Sequence, residues 1–281
     1  MTWRISVRHT TGYRYSQPVR ASYNEARMTP VTAGGQQTLK AHLEVSPSVQ
    51  PLRYLDYWGA QVHAFDVHVP HTELVVTATS VVETTGAQPP GAGSATWEDV
   101  RAPRVADRYS ELLAPSRYVV AEAAVTARAL EISVAHPPAE AGRLAAGWVH
   151  EELVYERGST GVHTTSDDAR AAGKGVCQDY AHLSLATLRA MGLPARYVSG
   201  YLFPDNDAAT GTTTSGESHA WVEFWAGSWI AVDPTSMHEV ADRHIVVARG
   251  RDYGDVRPLS GVYHGPPADA LGVTVELTRL R

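Results

Sequence analysis

The chain has 281 residues, 43% hydrophobic and 19% charged, the balance of a folded protein with core enough for two modest domains or one large one. A formal charge of −6 with no basic stripe excludes nucleic acid as a principal partner, and a single cysteine excludes an internal disulfide. No apolar run approaches the ~20 residues that span a bilayer, and MTWRISVRHTTGYRY lacks a signal-peptide core, so a cytoplasmic protein without membrane contact is expected.

The first hundred residues alternate as strands do. WRISVRH puts Trp3, Ile5 and Val7 on one face, TLKAHLEV does so with Leu39, Ala41, Leu43 and Val45, and QVHAFDVHV with Val62, Ala64 and Val67. ELVVTATSVVET is rich in β-branched residues, and turn residues separate the runs, which predicts an antiparallel β domain over residues 1–100. GAQPPGAGSATWEDVRAP, from 86 to 103, reads as a linker. Residues 101–281 form the second expected domain. There SRYVVAEAAVTARALEI and PPAEAGRLAAGWVHEELVY predict helices, the second opened by Pro137 and Pro138 and carrying Leu144, Trp148, Val149 and Leu153 near a helical repeat.

Cys177 stands at the start of a third helix, in which Cys177, Ala181, Leu185 and Leu188 recur on one face. Gly192 supplies a left-handed cap and Pro194 forbids continuation. Gly173-Lys174-Gly175 ahead of it reads as a flexible turn. A sulfur in the first turn meets unsatisfied N–H groups and the positive end of the helix dipole, which favour a thiolate and could hold a negatively charged oxygen during acyl transfer. The plainer alternative is a small buried hydrophobe at the base of a core helix. His182, five residues on and about 140° around the helix, should point away from the sulfur.

SHAWVEFWAGSWIAVDPT supplies partners. His219, Trp221, Glu223 and Trp225 share one face of a strand. If Trp225 faces Trp229 across a three-residue turn, Trp221 faces Asp233 and His219 is the diagonal neighbour of Asp233, within side-chain reach. A two-residue turn would send Asp233 to the opposite face. In the first register Asp233 orients His219, whose other nitrogen is free to take the proton of Cys177. Each residue also has a structural reading: a packed histidine among 13, and an Asp-Pro turn at a strand end. A metal site at Cys177, His219 and Asp233 is a further alternative, but no C-x-x-C or H-E-x-x-H pattern supports it, and neither metal nor cofactor is expected.

Together these strings resemble the bacterial transglutaminase-like family of papain-type cysteine enzymes. GVCQDYAHL at 175–183 is similar to its nucleophile segment, SHAWVEFW at 218–225 to its histidine strand and VDPT at 232–235 to its aspartate. YERGST resembles the lead-in to the nucleophile. RISVRHTTGYRYSQPVRASYNEARMTP resembles the β-rich N-terminal domain of bacterial members, and HIVVARGRDYGDVRPLSGVYHG their C-terminal region. The resemblance implies an α+β fold in which a cysteine-bearing helix packs on an antiparallel sheet carrying His219 and Asp233. It also implies acyl transfer on amide bonds of a peptide or protein substrate. A peptidase or amidase is the first reading, a protein-glutamine transglutaminase the second, and a non-catalytic peptide-binding module on the same fold the third. Residues of second rank are Gln178 and Asp179, which either bind substrate or position the helix, Asp179 as a favourable charge near its N-terminus, and Tyr155 or Trp148 as a second oxyanion donor, Trp148 alternatively packing in the core. Trp221 reads as a shield over the catalytic pair or as sheet packing. His163 and PDNDAATGTTTSGES at 204–218 are expected near the cleft, the latter as a mobile lid or as a passive surface loop.

Overall fold

Alternating β-branched and polar residues draw the N-terminal third into strands β1 (Thr2–Val19), β2 (Ser22–Ala26), β3 (Gln36–Ser46), β4 (Leu52–Leu55), β5 (Gln61–Val67) and β6 (His71–Thr85). The structure, a computed structural model, describes residues 2–86, 93–216 and 218–281. β1 runs antiparallel to β6, and β6 to β3, so that Ile5, Val7, Leu74, Val76 and Val82 are buried. The register of β3 slips between Thr38 and Lys40. Leu39, the extra residue of this bulge, is exposed, and Leu43 and Val45 reach the core as expected; Ala41 shares their face but is exposed. On β5 it is Phe65, with Val62 and Val67, that fills the interior; Ala64 is only half-buried.

The expected linker lies partly at residues 87–92, outside the described residues. Its later part is ordered helix: α1 (Trp97–Val100), begun by a Thr96–Asp99 capping box, then α2 (Pro103–Arg108) and α3 (Ser110–Leu113). α4 (Ala123–Ala135) begins seven residues after the start of its helical-looking string. The preceding residues are not helical but bend at Arg117 and Tyr118, with Tyr118 and Val119 buried. α5 (Pro138–Glu152) starts on Pro138, where a missing N–H costs nothing. β7 (Val154–Tyr155), α6 (Ser166–Ala172) and β8 (Lys174–Gly175) follow. Gly173 ends α6 in the left-handed region at φ 65°, and β8 pairs in parallel with β7, so the expected flexible turn is pinned.

α7 (Cys177–Ala190) is the central helix. It ends as its sequence predicts: Gly192 has φ 86°, and Leu193 N donates to the Leu188 carbonyl at 3.0 Å. β9 (Ala195–Leu202), β10 (Thr213–Gly216), β11 (His219–Trp225), β12 (Trp229–Val232) and β13 (His244–Gly250) come next. Four of them form an antiparallel sheet in the order β12-β11-β9-β13, and α7 lies on its inner face, where Ala220, Val222 and Phe224 meet Ala181, Leu185 and Leu188 in one core.

The chain closes with α8 (Tyr253–Val256), β14 (Leu259–Tyr263) and β15 (Ala268–Arg279). β14 pairs with β2, β15 with β1, and β10 adds to β15. The two N-terminal sheets are therefore β10-β15-β1-β6-β3 and β14-β2-β5-β4. A boundary at residue 100 does not follow this pairing, because residues 213–216 and 259–279 return to the N-terminal sheets. Nor is 204–218 a free lid, since part of it is an edge strand. The helical core reaches across to β1: Trp3 packs edge-on to Phe203 at 5.5 Å, and His9 Nδ1 shares a 2.8 Å hydrogen bond with the buried Tyr201 hydroxyl. Among the described residues no helix is long and apolar enough to cross a membrane.

Candidate active site

Cys177 is the first residue of α7, half-buried and packed against the core. The approach to it is fixed by Asp179, two residues on. Asp179 Oδ2 accepts from Val176 N at 2.8 Å and from Thr160 Oγ1 at 2.6 Å. Burial raises the pKa of this carboxyl, and those hydrogen bonds oppose the shift. Asp179 is 1% exposed, so the residue expected to bind substrate or an oxyanion is turned into the protein and braces the helix start. Gln178 is half-buried beside the sulfur in sequence. Tyr155 is 44% exposed and pairs with Gly175, which places it alongside the strand just ahead of Cys177; Trp148 packs on the core from α5.

The hairpin takes the three-residue turn: Trp225 pairs with Trp229 and Val222 with Val232. Asp233, the next residue, thereby comes to the His219 face, and His219 Nε2 lies 2.9 Å from Asp233 Oδ2. The Cys177 sulfur acts on the charge of the same ring, and it lies 3.9 Å from the Ser218 carbonyl oxygen. With Nε2 given to Asp233, Nδ1 is the nitrogen left for the sulfur. Burial pushes the His219 pKa down, but hydrogen bonds to Asp233 and Cys177 and the attraction of their charges outweigh it, and the result is about 10. Burial pushes Asp233 the other way, yet its imidazole and hydroxyl partners hold it far below the usual carboxylate range. The pair is therefore an imidazolium facing a carboxylate at neutral pH.

Asp233 has further partners that the hairpin alone does not reveal. Its Oδ1 accepts from Thr235 N at 3.0 Å, and its Oδ2 from Ser236 Oγ at 2.7 Å, an Asx-type turn written in the string DPTS. His244 on β13 brings Nε2 to 3.5 Å from Oδ2, an electrostatic contact rather than a well-aligned hydrogen bond, while its Nδ1 accepts from Ala241 N at 3.4 Å. Burial lowers the His244 pKa against the pull of Asp233, so this second imidazole is neutral. No local signal in the sequence points to His244. Trp221 is fully buried, its ring roughly parallel to His219 at 6.0 Å and edge-on to His244 at 5.2 Å. Gly200 makes room for it: a Cβ there would lie 2.7 Å from the Trp221 ring and 2.0 Å from the Ile245 carbonyl oxygen.

Among the described residues, the side chains that converge in the manner of metal ligands are His219, Asp233 and His244, with ligand atoms within 4.8 Å of one another. Cys177 is not one of that set, and a cation there would have to break the His219–Asp233 hydrogen bond. His182 is fully buried, stacked on Tyr118 at 5.5 Å, and its Nε2 accepts from Tyr253 N at 3.2 Å. His163 reaches the Tyr118 hydroxyl at 3.4 Å.

Comparison with known proteins agrees with this architecture. The family model for the bacterial transglutaminase-like N-terminal region matches residues 5–83, and that of the transglutaminase-like superfamily matches residues 126–234. An uncharacterized protein of Mycobacterium leprae is 46% identical over 99% of both chains, and one of Mycobacterium tuberculosis is 33% identical over 98% of this chain and 93% of its own. A protein-glutamine gamma-glutamyltransferase of Pseudomonas aeruginosa is 34% identical over 50% of this chain and 23% of its own. The crystal structure of a candidate cysteine protease from Cytophaga hutchinsonii superposes with a TM-score of 0.78 at 21% identity, covering 100% of this chain and 92% of the other, which establishes a shared fold. By sequence and by fold, the chain belongs to the bacterial transglutaminase-like family.

Proposed function

We propose that the chain is a cysteine-dependent enzyme that cleaves amide bonds of a peptide or protein through a thioester. The observation that carries this reading is the His219 ring, held by Asp233 through Nε2 and close enough to Cys177 for the sulfur to act on its charge. The Cys177 thiolate adds to the amide carbonyl, and the resulting oxyanion meets the backbone N–H of Cys177 at the open end of α7. As the C–N bond breaks, His219 gives its proton to the departing amine, leaving an acyl–sulfur bond. Water then adds to the thioester while His219 takes its proton, and the sulfur leaves as thiolate. Asp233 keeps the ring oriented and steadies its charge throughout. Tyr155, exposed on the strand beside Gly175, is the side chain best placed to meet substrate near the sulfur.

A second reading, in which an amine rather than water resolves the thioester, draws support from the stretch shared with the Pseudomonas aeruginosa gamma-glutamyltransferase. Incubation with a glutamine-containing peptide and a labelled primary amine separates the two. Release of ammonia or of a shorter peptide supports hydrolysis; label in the peptide supports transfer. If Cys177→Ala leaves either product undiminished, or if Cys177 reacts with iodoacetamide no faster than a free thiol, the thioester route is wrong.

A further inference from the structure

A large cavity lies away from the sulfur, and Cys177 does not line it. It measures about 950 Å³ and lies between the N-terminal sheets and the outer face of the β9–β13 sheet. That volume falls within the range of pockets that hold small molecules. Its charge is opposite to that of the chain: Lys40, Arg196 and Arg249 line it against one carboxylate, Glu223, in a protein whose formal charge is −6. Glu223 engages Nε and Nη2 of both arginines, at 2.5 to 3.0 Å, and leaves both Nη1 groups outside the pair. The two arginines also border a second cavity of about 310 Å³, which shares Trp58 and Trp229 with the first.

The remaining lining mixes threonine and glutamine side chains with apolar ones. Trp58, Trp221 and Trp229 contribute rings, and the Arg196 guanidinium lies 3.8 Å over the Trp229 ring centre. Leu39 and Leu55, also in the lining, are 41% and 71% exposed, large apolar side chains that nothing in the fold covers. The rear wall holds a buried polar atom without a hydrogen-bond partner, Trp221 Nε1. Aromatic rings, aliphatic side chains and guanidinium groups together suit a flat apolar body that carries an acidic group.

We propose that this cavity is a binding site for a small organic anion, a carboxylate, sulfonate or phosphate borne on a flat apolar framework, separate from the Cys177 cleft. Its occupant lies behind the His219–Asp233 pair, against Trp221 and His244. The site does not depend on what Cys177 does.

The test uses the full chain with 8-anilinonaphthalene-1-sulfonate as fluorescent probe and its uncharged parent, N-phenyl-1-naphthylamine, as control. The expected result is saturable binding of one sulfonate per folded chain, weakened by salt, with the uncharged parent weaker by about tenfold or more. Ala231→Trp, which places a ring beside Glu223 on the cavity floor, should cost about tenfold in affinity. Lys40→Glu, an exposed change on β3, should cost about fivefold through charge alone. Alkylation of Cys177 with iodoacetamide should change nothing, which keeps this outcome distinct from that of the thioester reading. Non-saturable binding, equal affinity for the uncharged parent, or wild-type affinity in Lys40→Glu would overturn the site. Circular dichroism identifies a misfolded Ala231→Trp chain, in which case Lys40→Glu and the uncharged control decide.

Discussion

Two buried charges face one another at 2.9 Å in His219 and Asp233, and each is stabilised by the other at opposite ends of the pH scale. The His219 pKa is raised from 6.5 to about 10, so its contribution to stability is full below 6.5 and is lost as pH rises through about 10. Asp233 is lowered from 3.8, so its contribution is full above 3.8 and is lost as pH falls toward its folded value. In the proposed reaction the imidazolium is the general acid, and kcat/KM should fall along an alkaline limb near pH 10. Because the sulfur helps to raise the ring, Cys177→Ala should move the His219 pKa down, measured by NMR of the imidazole; an unmoved value would separate the two groups. Asp233→Asn keeps the shape and removes the charge, and should cut kcat by roughly 10²- to 10⁴-fold with little change in KM. Cys177, His219 and Asp233 were legible because each sits in a string whose local structure is also legible. Asp179 was left between two roles because an acidic residue at the third position of a helix looks the same whether it meets a ligand or, as here, the backbone N–H of Val176. His244 arrives from a strand with no covalent or periodic tie to the others, so its position beside Asp233 exists only in the fold.

Elements decide whether those side chains meet. The β11–β12 hairpin was readable as a hairpin but its parity was not, since a two-residue turn fitted the same string; the pairing of Trp225 with Trp229 is what brings Asp233 to the side of His219. α7 was readable from its period and its Gly192 cap. The bulge at Leu39 was not, because an extra residue leaves the alternation before and after it intact while reversing which side is inside. β11 depends in turn on β9, where Gly200 faces His219 across the ladder. Gly200→Ala would drive a methyl group into the Ile245 carbonyl and the Trp221 ring. A loss of about 3 kcal/mol is expected in urea unfolding, with activity falling before stability is exhausted, since Trp221 backs the imidazole. Wild-type activity in that variant would show that β9 does not support the site.

On the scale of the whole molecule the chain is laced rather than laid end to end. Strands 259–263 and 268–279 complete sheets begun by residues 2–26, and these long-range pairings were beyond the sequence because alternation marks a strand without naming its neighbour. Where the β9–β13 sheet faces the N-terminal sheets, Arg196, Glu223 and Arg249 form a nearly buried cluster. Burial pushes the Glu223 carboxyl up, and the two guanidinium groups more than reverse the shift. Glu223→Gln would leave two cations facing one another without their counter-ion. It should destabilise by about 3–5 kcal/mol in urea unfolding, whereas a change below ~1 kcal/mol would mean the cluster is well hydrated.

The edge strand Thr213–Gly216 is stitched to Val275–Thr278, and three residues after Gly216 comes His219. The proposed base thus hangs on a short leash whose far end is knotted into the closing strand of the molecule. Peeling residues 268–281 away, by proteolytic nicking or by a bulky fusion, should slacken that leash and silence the enzyme while α7 and its sheet remain folded. Hydrogen exchange would then show deprotection spreading from Thr278 to Ser218 ahead of any change at Leu185.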